Sequence, residues 1–360
     1  MASAFHLSGE HAYAELGSVG DEMASVEIGP VSAGPGEKAR GPVTVLDGPM
    51  TRLTLPVAII NSGKPGPSLV LLAGIHGTDY PGIEAAARII RRTSPGDIRG
   101  VLTVFPLVNV LGFEASEPFL MPVDRQNINR IFPGDPAGTP SFILAHVLFE
   151  HVRRLADCVI DLHGGDTTEH LVPFALYYES GNADVDARSA AMARLYDTPY
   201  VWAMSPPYGH RGTSIGELSK IGIPAIAGEA GYLGTCHEAD VETHIRGVGN
   251  IMKDLGMVEG EPEHTVDRQM FFRRDFIITT RRGGIFEPAV DPGSRVHRDA
   301  ILGRIRTLEG DVIEEIRCPV DGVIRTLFPK RVVHAGSIVY RGWVDGVDDG
   351  GDGSPNGGRR

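Results

Sequence analysis

The sequence predicts an open α/β sheet flanked by helices, followed by a smaller all-β domain towards the C-terminus. Short apolar runs alternate with helical segments up to about residue 255, and the runs lack the in–out alternation of half-exposed strands. Beyond them, residues 271–343 hold strand-like pieces and turn residues but no helical pattern. Strands without alternation are those covered on both faces, and strands interleaved with helices are the mark of an α/β sheet.

Residues 43–47 (VTVLD) and 52–60 (RLTLPVAII) read as two strands around the turn GPM. The runs at 69–75, 101–108, 158–163, 172–178 and 223–228 read as further sheet strands. Helices are predicted near 82–92, 140–156, 184–196, 213–221 and 237–255, and the texture turns polar across 256–270. The expected organisation is a poorly defined N-terminal segment (1–40), a catalytic α/β domain (41–262), a β-rich domain (263–345) and a Gly/Asp-rich disordered tail (346–360).

Within the β-rich part, PAVDPGSRVHRDAILGRI (288–305) and TLFPKRVVHAGSIVYRG (326–342) both run from a proline through a valine to an isoleucine. Such a duplication predicts two interleaved halves. The segment resembles the barrel-sandwich hybrid of biotinyl and lipoyl carriers. The carriers' modified lysine is missing, because the only lysine in 271–343 is Lys330, in the second repeat. No catalytic residue is evident here, and the domain is expected to cover the pocket mouth or to mediate subunit contacts.

The formal net charge of −12 over 360 residues argues against nucleic acid or an anionic membrane as the main partner. The first thirty residues lack the pattern of a signal peptide, and no segment approaches the roughly 20 apolar residues of a membrane span. Three scattered cysteines, Cys158, Cys236 and Cys318, favour a reducing compartment. The expectation is a cytoplasmic protein, with homo-oligomer formation left open.

Three strand ends finish on residues with chemistry. LLAGIHGTDYPG (71–82) supplies His76 and Asp79, DCVIDLHGG ends on His163, and IPAIAGEAG ends on Glu229. Ligand sites of open α/β sheets gather beyond the carboxyl ends of strands. A catalytic zinc takes three N or O ligands and keeps one position open, and His76, Asp79 and His163 would make a His₂–carboxylate set. Asp161 shares a strand face with His163 and would receive its second ring N–H or orient other polar groups. Taken singly, each residue has a plainer reading: Asp79 or Thr78 as an N-cap with Pro81 in the first turn, the histidines as hydrogen-bonded core residues, Glu229 as a turn carboxylate. Their joint occurrence favours a metal. The Gly/Pro-rich loop PPYGHRG carries Tyr208, His210 and Arg211 before a helix whose first N–H groups suit an anion; it lines the pocket, with His210 and Arg211 selecting the polar end of a substrate, or is an ordinary exposed loop.

Four motifs in order, HGTDYPG, NINRIFPG (127–134), DLHGG (161–165) and GIPAIAGEAG (222–231), resemble the succinylglutamate desuccinylase/aspartoacylase family across most of residues 40–345. The resemblance implies a zinc carboxypeptidase-like fold with an open mixed sheet. It implies one Zn²⁺ per chain held by His76, Asp79 and His163, Glu229 as general base and acid, and Asn129 with Arg130 on the carboxylate of a small N-acyl amino-acid-like substrate. A guanidinium fork suits that last role; without the motif, Arg130 reads as an ordinary surface ion pair. Two departures stand out: the family's usual glutamate is Asp79 here, and EPFLMPVD (117–124) lacks the arginine that polarises the scissile carbonyl, Arg125 lying out of register. The expected activity is amide hydrolysis. The alternatives are a zinc carboxypeptidase acting on short peptides, or an inactive binding protein on the same fold.

Overall fold

The computed structural model describes residues 24–49, 52–205 and 211–345. Most of the N-terminal segment, the loop residues Tyr208 and His210, and the tail expected to be disordered lie outside the described residues.

A hairpin of β1 (Val26–Ile28) and β2 (Val31–Ala33) precedes the antiparallel pair β3 (Lys38–Asp47) and β4 (Arg52–Asn61). Then follow β5 (Ser68–Ala73), α1 (Tyr80–Arg92), β6 (Val101–Phe105), α2 (Val110–Ala115), α3 (Pro140–Leu155) and β7 (Cys158–His163). The short β8 (His170–Leu171) leads to β9 (Phe174–Tyr178), α4 (Ala183–Leu195) and β10 (Tyr200–Met204). Next come α5 (Ser214–Lys220), β11 (Ala225–Glu229), α6 (Glu238–Asp254) and β12 (Met270–Phe272).

The nine-stranded sheet runs β12-β10-β9-β11-β7-β5-β6-β4-β3. Its centre, β11-β7-β5-β6, is parallel, while β9 and β4 join antiparallel, so the sheet is mixed. Strand β5 shows why no alternation was visible: all six residues are buried. Leu69 and Leu71 pack with Ala85 and Ile89 of α1 and Ile251 of α6, while Val70 and Leu72 pack on the other face with Leu144 and Leu148 of α3. Helices α1, α4 and α6 thus cover one face and α3 and α5 the other. No helix of the described residues is long and apolar enough to cross a membrane.

The predicted strands and helices are found, with ends shifted by a few residues. The run at 101–108 stops pairing at Phe105, and 172–178 starts pairing at Phe174. The reading above assigned nothing to YVWAM, which forms β10 between β9 and β12.

The C-terminal part contains β13 (Asp275–Thr279), β14 (Gly284–Pro288), β15 (Arg295–Val296), β16 (Ile301–Arg306), β17 (Val312–Arg317), β18 (Gly322–Leu327), β19 (Val332–Val333) and β20 (Ile338–Val344). One sheet runs β13-β20-β18-β15 and the other β17-β16-β14-β19. Each repeat lends its short middle strand to the other: β15 pairs with β18, and β19 with β14. The matching valines, Val296 and Val333, are both buried in this domain's core. That exchange is the interleaving the duplication predicts.

Pairings also cross the expected boundary at 262/263. β12 closes one edge of the nine-stranded sheet beside β10, and β8 adds to β18 of the C-terminal sheet. Trp343 on β20 is fully buried in the core of the α/β part, stacked on Phe272 at 4.9 Å and edge-on to Phe174 at 5.2 Å. The two parts share one packed wall, and a cavity opens beside it.

Candidate active site

The carboxyl ends of β5, β7 and β11 lie side by side because these strands are neighbours and parallel. Strand β5 stops at Gly74, whose φ of 63° lies in the left-handed region and redirects the chain. The following turn carries His76 and Asp79 over the sheet edge, where His163 ends β7 and Glu229 ends β11.

Asp79 occupies the N-cap position of α1, but its side chain makes no capping hydrogen bond. Fully buried, it turns inward instead. Its Oδ2 lies 2.9 Å from His163 Nδ1 and 3.5 Å from His76 Nδ1, and its Oδ1 is buried without a partner. The outer ring nitrogens have partners of their own: His76 Nε2 is 3.2 Å from Asn127 Oδ1, and His163 Nε2 is 3.1 Å from Asp161 Oδ2. Asp161 in turn accepts from the Ser214 hydroxyl.

This arrangement passes a test for a divalent metal. Ligand atoms of His76, Asp79 and His163 all lie within 4.8 Å of one another, and no other such trio occurs among the described residues. Donors on a tetrahedral zinc at about 2.0–2.2 Å stand roughly 3.3–3.6 Å apart. The orphaned Oδ1 supplies a free lone pair, and the Nε2 partners fix both rings as outer ligands commonly do.

The electrostatics match a cluster that wants a cation. Burial pushes the Asp79 carboxyl up, yet hydrogen bonds to His163 and His76 outweigh it and hold the group below the usual carboxylate range. Burial opposes charging of His163, but Asp161 and Asp79 overcome it and lift the imidazole well above its ordinary value. For Glu229 the balance is reversed: burial, with Asp79 and Glu169 nearby, outweighs the pull of His163 and Arg325 and pushes the carboxyl up to about 8.

A cavity of about 390 Å³ is lined by His76, Asp161, His163 and Glu229 together with Asn129 and Arg130. Asn129 Oδ1 accepts from the Ser214 backbone N–H at 2.9 Å, and its Nδ2 lies 3.2 Å from His163 Nε2. The first N–H of α5 is therefore already taken. Arg130 reaches the cavity with no ion pair to any described residue, its Nη1 donating to the Asn129 carbonyl at 2.6 Å. The structure does not bring Arg211 to this group: it is exposed and not among the cavity-lining residues. Arg125 is likewise outside the cavity, paired with Glu117 at 2.7 Å. His210 lies outside the described residues.

Sequence reading found nothing catalytic or binding in the C-terminal domain, yet Asp275, Arg325 and Arg341 line the same cavity. Their signal was faint but present, since Arg325 interrupts the otherwise uncharged run GVIRTL, all of which is buried.

An open mixed sheet with two histidines and an aspartate clustered at the ends of its parallel strands defines an α/β protein with a buried side-chain group that could hold a metal ion. Residues 65–255, more than half of the chain, match the succinylglutamate desuccinylase/aspartoacylase catalytic domain, and the chain belongs to that family. It is 28% identical over 286 residues, 77% of this chain and 82% of the relative, to the N-alpha-acetyl-L-2,4-diaminobutyric acid deacetylase of Halomonas elongata. The crystal structure of a succinylglutamate desuccinylase/aspartoacylase from Rhodobacter sphaeroides is similar at 27% identity and a TM-score of 0.77, covering 92% of this chain and 98% of that one. The product-bound ectoine utilization protein EutE (DoeB) of Ruegeria pomeroyi shares the fold at 22% identity and a TM-score of 0.77, covering 90% of this chain and 99% of its own.

Proposed function

We propose that the protein is a zinc-dependent hydrolase that removes an acyl group from the nitrogen of a small amino-acid-like substrate. The observation that carries this is the inward turn of Asp79, which forgoes its cap to face two histidine Nδ1 atoms, both on rings that line the cavity. Family membership and the deacetylase relative support the reaction class. His76, Asp79 and His163 would hold the zinc, and Asp161 and Asn127 would orient the two rings.

When bound, zinc supplies Lewis-acid chemistry, lowering the pKa of water towards about 7 and polarising a carbonyl. Glu229 accepts the proton of the attacking water as its oxygen bonds to the acyl carbon. The same carboxyl then donates that proton to the departing nitrogen as the amide C–N bond breaks. A carboxyl raised to about 8 by burial sits near working pH, where one group serves as both base and acid. Arg130, free of ion pairs among the described residues, takes the amino-acid carboxylate and holds the amide in place. A cavity of about 390 Å³ suits a small molecule.

The test compares wild-type and Glu229→Gln protein, both zinc-loaded, on a panel of N-acyl amino acids and short peptides. The expected outcome is turnover of N-acyl amino acids only, with kcat reduced about 10²–10⁴-fold in the variant at unchanged metal content. Full turnover by Glu229→Gln would remove Glu229 from its role, and cleavage of peptides alone would replace the deacylase reading.

A further inference from the structure

Of residues 117–126, Phe119 alone lines the cavity, so the segment that lacks an arginine for the scissile carbonyl delivers an aromatic ring instead. That ring stands nearly perpendicular to the His76 imidazole, at 81° and a centroid distance of 5.3 Å, a favourable edge-to-face contact. The backbone that places it there is strained. Phe119 has a φ of 60°, a left-handed conformation that a bulky side chain rarely adopts. The Leu120 N–H donates back to the Pro118 carbonyl at 2.7 Å, closing a three-residue turn of the rare γ type around Phe119. Such strain persists only where the surroundings impose it, and it clusters at ligand clamps.

Asp166, fully buried just beyond β7, imposes it here. Its Oδ2 accepts the Phe119 backbone N–H at 2.9 Å, while Oδ1 accepts from the Thr167 N–H and, at 3.1 Å, from the Thr167 hydroxyl. The rest of the loop is pinned by the Glu117–Arg125 ion pair and by buried Met121, whose carbonyl accepts the Arg125 N–H at 2.9 Å. The two imidazoles then divide the site. His163 Nε2 lies 3.2 Å from Asn129 Nδ2, on the side of Arg130, whereas the ring set against His76 is that of Phe119. A substrate whose carboxylate meets Arg130, with its amide over the metal ligands, sends its acyl chain the other way, towards Phe119.

We propose that Phe119 is a specificity-determining residue that limits the length of the acyl group, and that Asp166 is the positioning residue that holds its ring in place. The preferred substrates then carry a short acyl chain, which packs against the ring, while a longer chain meets it end-on. This rests on the deacylase reading above and deepens it. Asp166 acts only through Phe119, so removing either should move the same preference.

Steady-state kinetics of the zinc-loaded enzyme are measured on the N-acetyl, N-butyryl and N-hexanoyl forms of the amino acid best cleaved in the panel above. The expected kcat/KM ratio favours acetyl over hexanoyl by about ten- to hundredfold. That ratio falls towards one in Phe119→Gly, which removes the ring and suits the positive φ, so the variant folds without the native strain. It falls likewise in Asp166→Ala and is largely kept in Asp166→Asn, which retains an acceptor for the Phe119 N–H. Calorimetric binding of acetohydroxamate against hexanohydroxamate, whose hydroxamate groups take zinc, makes the same comparison without turnover. A wild-type ratio near one, or a ratio unchanged in Phe119→Gly, overturns the assignment while leaving deacylation intact. A wild-type ratio in Asp166→Ala removes Asp166 from its positioning role. Absence of all hydrolysis, with a hydroxamate preference still lost in Phe119→Gly, overturns the deacylase reading and leaves Phe119 as the limit on chain length. Absence of both hydrolysis and any hydroxamate preference overturns the two together.

Discussion

Glu229 and His163 are register partners on the adjacent parallel strands β11 and β7. Neighbouring parallel strands put equivalent positions side by side at one sheet edge, so the pairing alone sets the proposed base next to a proposed metal ligand. The position before Glu229 is under steric control: a Cβ at Gly228 would lie 2.1 Å from Tyr196 Cζ, and Tyr196 is fully buried. Gly228→Ala is expected to lower stability by about 1–3 kcal/mol or more through overpacking. It should also cut kcat more than tenfold by shifting Glu229. Thermal melts and kinetics check this, and partial recovery of the melting temperature in Gly228→Ala/Tyr196→Leu would identify the clash; a variant with wild-type melting and turnover would refute it.

Asp79 sits at a cap position without capping, so its removal should register in metal content more than in helix stability. Wild-type protein purified without chelators is expected to carry near one zinc per chain by elemental mass spectrometry. Asp79→Asn and His163→Ala should each weaken zinc binding by about a hundredfold or more, since a ligand counts for more than the 10–100-fold typical of an outer partner. Full metal occupancy in Asp79→Asn would exclude it as a ligand.

His244 makes an acid-sensitive contact behind the site. Fully buried, its Nδ1 lies 2.5 Å from the Tyr196 hydroxyl and its Nε2 lies 3.3 Å from the Ala230 carbonyl, and burial brings its pKa down to about 4. The unfolded chain, with an ordinary histidine near 6.5, binds the proton first. Stability from this group is therefore complete above about pH 6.5 and lost as pH falls towards 4, by about 3 kcal/mol in all. Denaturant unfolding between pH 4 and 7 should show that slope in wild-type protein and a shallower one in His244→Gln. Identical slopes would show that another group carries the acid sensitivity.

Trp343 joins the two parts of the molecule. Trp343→Ala is expected to destabilise the whole protein by about 3–5 kcal/mol. Because its partners Phe272, Phe174 and Tyr200 belong to the nine-stranded sheet, both parts should melt in one transition. Removal of residues 271–360 should then leave an aggregating α/β part, and a soluble, active truncation would show that the contact is dispensable.

Much of this was legible in the chain itself. Runs such as Leu69–Ala73 and Cys158–His163 declared strands covered on both faces because every position is apolar or destined for the site. The His76, Asp79, His163 and Glu229 set followed from where those runs end. The duplicated Pro-to-Val segments announced an interleaved β domain, which the exchange of β15 and β19 displays.

What local pattern could not reach are the choices made by packing. A capping aspartate and a ligand aspartate look alike in sequence, and only the positions of two imidazoles separate them. Arg130 looks like a surface ion pair until the fold leaves it without a counter-ion among the described residues. Composition and periodicity determined the layers, the strand ends and the residue types held there. The tertiary structure decided which charges meet and which are left unpaired, because electrostatic partnership depends on distance through space between segments far apart along the chain.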